Sequence, residues 1–228
     1  MKKNIKTPNK FISVYDNELE IFKGEEARSL KMTSYTYLVY ACLKQQYKYK
    51  LSVKGRASTS CNSVERMFEI TNVHREVNKL LAHSSNIISR SENGQLKVNC
   101  PIRSDSSSNA IPVALLTTED IDVRDKQFLA VINRYLDRTD DFSLNWSKWA
   151  VWTNAFKPLG RSKSWTSDRI TSLMSEGFIR KTENGYMFDM EAISDYVDRE
   201  ILSLKAQVKG INPPKQKGFN EFDYGIDI

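Results

Sequence analysis

"ITNVHREVNKLLAHSSNIISRSENGQLKVN" (Ile70–Asn99) and "WTSDRITSLMSEGFIRKTENGYMFDM" (Trp165–Met190) write one pattern twice. In the first, Val73, Val77, Leu80 and Leu81 recur at i, i+4, i+7 and i+8, which is one face of a helix. In the second, Ile170, Leu173 and Met174 do the same, and Gly177 follows as a C-cap. Each helix precedes two short alternating runs that meet at Asn-Gly, at Asn93-Gly94 and at Asn184-Gly185. That dipeptide between such runs is the strongest short-range hairpin signal.

The repetition extends outward. "TSYTYLVYACLKQQYKYK", from Thr33, reads as a helix burying Tyr37, Leu38, Ala41 and Cys42. "VRDKQFLAVINRYLDR" reads likewise, with Phe128, Leu129, Ile132 and Leu136 inward. Asn62-Ser63-Val64-Glu65 has the capping-box pattern and opens a short helix with Val64, Met67 and Phe68 inward. Its counterpart is "LNWSKWAVWTNAF", whose Trp146, Trp149 and Trp152 at spacing three are expected in the core. Leu38 lies 91 residues before Leu129, and Val77, Leu80 and Leu81 lie 93 before Ile170, Leu173 and Met174. Ile88 and Glu92-Asn93-Gly94 lie 91 before Ile179 and Glu183-Asn184-Gly185. Ser84-Ser85 accounts for the change of two.

The predicted fold class is therefore α+β, mainly α: two copies of a helix–helix–helix–hairpin module, at residues 11–102 and 111–190. Residues 1–10 form a basic arm, and "FISVYDNELEIF" (residues 11–22) an extended arm or strand. "LSVKGRASTS" (residues 51–60) and the Ser-rich residues 103–110 read as loop and linker. Residues 191–210 form an amphipathic helix, with Ile193, Tyr196, Val197, Ile201 and Leu204 on one stripe, which packs back on the second module or pairs with its twin in a homodimer. Residues 211–228 are a flexible acidic and aromatic tail.

The net charge of +6 is uneven, since residues 1–110 hold 18 Lys and Arg against 10 Asp and Glu. A basic half is what a polyanion-binding surface needs. Hydrophobic content of 40% and charged content of 27% fit a soluble protein. No apolar run is long enough for a membrane span, and "MKKNIKTPNK" lacks the apolar segment of a secretory signal. Cys42, Cys61 and Cys100 form no metal or disulfide pattern and read as reduced thiols of a cytoplasmic protein.

This order of elements resembles the winged helix, a helix-turn-helix followed by a β-hairpin wing. The tandem layout and the opening "FISVYDNELEIF…MTSYTYLVYACLKQ" are similar to replication initiators and regulators carried by plasmids and phages. The resemblance implies a DNA-binding protein acting in the cytoplasm of a bacterial host, with a replication initiator as the first expectation. A transcriptional regulator at operator DNA is the second, and a protein–protein adaptor on the same scaffold the third.

In a helix-turn-helix, the last helix offers its outer face to the major groove. Here that face carries Thr71, Asn72, Arg75, Asn78 and Lys79, and Arg and Asn match the edges of guanine and adenine. Lys54, Arg56, Arg90 and Lys97 are the expected phosphate contacts. The second copy offers Ser164, Trp165 and Arg169 to bases, along with Asp168 and Ser172, and Arg161, Lys163, Arg180 and Lys181 to phosphates. Asp168 makes it the weaker reader, or a dimerisation face. In the tail, Phe219, Phe222 and Tyr224 are candidate contacts for a replication or transcription protein.

No enzyme is expected. His74 and His83, the two histidines, make no His-x-His metal pair, and no P-loop or G-x-S-x-G is present. "GRSKS" at Gly160 is only an echo of the former. No metal or cofactor is expected.

Overall fold

The computed structural model describes residues 11–54, 58–99, 108–112, 116, 121–136, 147–183, 185–189 and 192. Among them the chain is mainly helical, with three two-stranded antiparallel sheets. The expected features at residues 1–10, Arg56, Cys100, Trp146 and Asn184, and the tail with Phe219, Phe222 and Tyr224, lie outside the described residues. So does residues 191–210 apart from Ala192.

The first copy begins with β1 (Phe11–Tyr15), α1 (Asp16–Glu20) and α2 (Glu25–Ser29). Only the first part of the expected extended arm is therefore a strand. The chain turns into α1 because the Glu18 side chain accepts from the Tyr15 backbone N–H at 2.7 Å, capping the helix from inside. Glu18 is fully buried and takes the Lys44 ammonium at 2.6 Å. Tyr40 also donates to it.

Lys44 sits on α3 (Ser34–Lys54), the long central helix. It runs four residues into the stretch expected as loop, because nothing before Gly55 breaks it. Next come α4 (Cys61–Phe68), α5 (Val73–Ala82), β2 (Ile88–Arg90) and β3 (Leu96–Val98). The cap of α4 is Ser60, whose side chain accepts from Ser63 N–H. Asn62 lies inside the helix, and Glu65 reaches forward to the Val73 N–H that opens α5, at 2.9 Å. The β2–β3 loop carries a positive φ at Gly94 (73°) and at no other residue, as in a type I turn closed by a left-handed glycine. Thr59 exchanges backbone bonds with Leu96 and adds a third, single-bridge edge to this hairpin.

The expected linker ends in a strand. β4 (Ser108–Pro112) pairs with β1, Phe11 opposite Pro112 and Tyr15 opposite Ser108. The second copy follows as α6 (Val123–Leu136), α7 (Lys148–Val151), a π-helical turn (Trp152–Phe156), α8 (Lys163–Ser175), β5 (Ile179–Thr182) and β6 (Gly185–Phe188).

One apolar cluster runs through both copies. It includes Leu38, Val64, Phe68, Val77 and Leu80 of the first, and Phe128, Ile132, Phe156, Ile170 and Leu173 of the second. The copies meet through counterparts: β1 on β4, and α3 on α6. Elements touching their own equivalents are what a two-fold relation generates. Arg161 ties this seam, donating from Nε to Ser34 Oγ at 2.6 Å and from Nη2 to the Gln127 side-chain oxygen. No described helix is long and apolar enough to cross a membrane.

Candidate nucleic-acid interface

The turn between α4 and α5 sets the angle of α5. Glu69 and Asn72 both hold left-handed backbone, at φ of 53° and 58°. Asn tolerates this conformation better than most residues. Tyr35 of α3 donates its hydroxyl to the Thr71 carbonyl and pins the turn to the central helix. Partial burial raises the Tyr35 hydroxyl above its usual pKa.

From that turn, α5 buries Val73, Val77 and Leu80, with Leu81 half-buried, as its spacing requires. Thr71, Asn72, Arg75 and Asn78 are exposed, and so is His74 between them. His74 meets Asn62 of α4 at 3.0 Å. On the hairpin, Arg90 and Lys97 are exposed. Arg90 donates to the Asn78 side-chain oxygen at 3.4 Å, which joins the hairpin to the outer face of α5. Ser60, Cys61, Asn62, His74, Arg90, Gly94 and Leu96 line a shallow cleft between α4, α5 and the hairpin.

Glu76 is the residue that the apolar pattern did not reveal. It lies on α5, is 1% exposed, and organises its neighbours. Thr36 of α3 donates to it at 2.6 Å, Lys79 at 2.8 Å and Arg75 at 2.9 Å. Burial pushes its carboxyl up, but the bonds from Lys79, Thr36 and Arg75 outweigh burial and hold it below the usual carboxylate range. The buried acid thus fixes the base of two expected DNA contacts. Arg75 remains 65% exposed, while Lys79 is 20% exposed and also donates to the Lys31 carbonyl at 2.9 Å. Lys79 is turned back toward the body of the protein rather than outward. Lys54 closes α3; its side chain is not described.

The second copy arranges the same elements differently. On α8, Lys163, Ser164 and Asp168 are exposed. Trp165, expected outward, packs half-buried against Phe128 and Phe156, with the Arg161 guanidinium 4.8 Å from its ring centroid. An indole one position from the apolar stripe gains more from that pocket than from water. Arg169, also expected outward, is 15% exposed and bonds both Asp125 oxygens at 3.3 Å. Ser172 donates to the same carboxylate at 2.9 Å. Burial dominates at Asp125 and raises its pKa above the usual value. Arg161, expected on phosphate, is committed to the seam, where burial lowers its pKa. Arg180 and Lys181 are exposed on β5.

The tryptophans depart furthest from expectation. Trp149 is 56% exposed, and Trp152 is half-buried. The core stripe instead falls on Val151, then Ala155 and Phe156 of the π-helical turn, then Leu159. Because Val151 and Phe156 fill the interior, the indoles fall on its flank.

No family model matches the chain, and neither a curated protein nor a solved structure matches it.

Proposed function

We propose that the protein is a tandem winged-helix protein that binds double-stranded DNA in a sequence-specific way, with α5 of the first copy in the major groove and the β2–β3 hairpin as its wing. One observation carries the reading. Thr71, Asn72, Arg75 and Asn78 share the exposed face of α5, and basic Arg90 and Lys97 are exposed on the hairpin that bonds to Asn78. Arg75 and Asn78 supply the donor and acceptor geometry for base edges. Arg90 and Lys97 supply charge for the phosphates on either side. The second copy contributes Arg180 and Lys181 to the backbone, with Ser164 as its outward candidate for a base.

Replication initiation is the favoured role, and transcriptional control at an operator the second. Two unlike copies on one chain suit an asymmetric site such as an origin repeat, where each reads its own half. Their recognition helices are unlike indeed, basic and open on α5 but tied inward through Arg169 and Trp165 on α8. Phe219, Phe222 and Tyr224 are the proposed hook for a replication protein.

A genome-wide footprint tests the role. The initiator reading expects a cluster of direct repeats beside the gene, whereas sites scattered over promoters mean transcriptional control. Deleting residues 213–228 should leave DNA binding intact and abolish replication; replication that persists while promoter output changes supports the second role.

A further inference from the structure

We propose that the Trp149 face of the second copy binds single-stranded DNA, stacking an unpaired base on the indole while Lys157 and Lys163 take neighbouring phosphates. This surface is separate from α5 of the first copy, and it asks for a different ligand.

Among the described residues, Trp149 is the large apolar side chain left in solvent. It is held in place by its neighbours. Trp152 meets it edge to face, with ring centroids 5.0 Å apart. Trp152 in turn donates its indole N–H to the Arg161 carbonyl at 2.8 Å. The platform is therefore set before a ligand arrives, and little side-chain entropy is lost on stacking.

Its charge points to a polyanion. The Lys163 ammonium lies 5.0 Å from the Trp149 ring centroid, and the Lys157 ammonium 5.4 Å from that of Trp152. Both lysines are exposed. Lysine is depleted in the cores of protein–protein interfaces, so this rim argues against an apolar protein partner. A duplex offers base edges in its grooves and keeps base faces stacked away. An aromatic ring ringed by cations instead matches a strand whose bases are free to stack. The π-helical turn at Trp152–Phe156 fits the same idea, since such turns recur at functional sites. The choice of DNA rather than RNA rests on the duplex-binding reading above.

The test uses the full chain and labelled oligo(dT) of about a dozen nucleotides, a length that spans one such site. Affinity is read by anisotropy, and stacking by quenching of tryptophan fluorescence. The wild type should bind with quenching. W149A should weaken oligo(dT) by about tenfold or more, the loss expected for one stacked base, whereas W149F should keep most of the affinity. K163A should weaken binding and flatten its salt dependence. Far-ultraviolet circular dichroism of each variant should match the wild type, because the substituted side chains are exposed. Cognate duplex binding should be unchanged in W149A and weakened in R75A, so the two sites fail separately. The proposal is overturned if oligo(dT) does not bind, if W149A binds it as well as the wild type, if W149A weakens duplex equally, or if oligo(U) binds more tightly than oligo(dT).

Discussion

Glu76 and Arg169 hold equivalent places on the last helix of each copy, 93 residues apart, and turn opposite charges inward. Glu76 collects Thr36, Lys79 and Arg75, and Arg169 collects Asp125 and Asp122. The first copy thereby buries an acid and leaves Arg75 as the cation on its outer helix face. The second spends its arginine on the interior and leaves Asp168 outside. The sign of the inward charge separates the two surfaces.

Glu76→Gln should cost about 1–3 kcal/mol at neutral pH, the scale of hydrogen bonds to a charged group. The folded pKa of Glu76 is lowered, so its contribution is complete above the unfolded carboxylate value and is lost as pH falls through the folded one. Urea unfolding across the acid range should show the difference between wild type and variant shrinking as pH falls.

Asp125 has the opposite sign. Its raised folded pKa means a contribution that is complete below the unfolded value and lost as pH rises through the folded one. Asp125→Asn should therefore be tolerated at neutral pH. Arg169→Ala, which strands a buried carboxylate, should cost about 3–5 kcal/mol. Thermal unfolding of the two variants gives the comparison, and equal losses would show that the pair does not act this way.

Arg161→Ala removes the bond to Ser34 that joins the copies and the bond to Gln127 within the second copy. A loss of about 1–3 kcal/mol is expected in urea unfolding, with Ser34 Oγ left without the Arg161 donor. Specific duplex binding should survive, since Arg161 works at the seam. A large loss of DNA affinity without loss of stability would return this residue to the phosphate role.

On the outer face of α5, Arg75→Ala and Asn78→Ala should each cost roughly 1–3 kcal/mol on the cognate duplex and little on a scrambled one. Lys97→Ala should weaken both alike and reduce the salt slope by about 1. Competition binding with the two duplexes distinguishes the roles.

The helix spacing and the paired Asn-Gly signals were legible because apolar periodicity and turn chemistry act locally. Val73, Val77 and Leu80 went inside as the pattern requires, and so did Ile170 and Leu173. What stayed hidden was decided by distant partners. Glu76 looks like any surface acid until Thr36 and Lys79 close on it. Trp165 and Arg169 looked outward by helix geometry, but Phe128 and Asp125 of α6 draw them in. The Ser-rich stretch gave no strand signal of its own, and β4 forms where it pairs with the distant β1. The spacing of three predicts Trp149 inside, but the buried positions around the π-helical turn are Val151 and Phe156.

The central claim is that the first copy binds duplex DNA through its basic face. Its most direct test is the affinity of the full chain for a duplex carrying its footprint site, measured across salt concentration. With about five phosphates neutralised, log affinity against log salt should fall with a slope of about −4 to −5. A flat response, or no binding at low salt, would contradict the account.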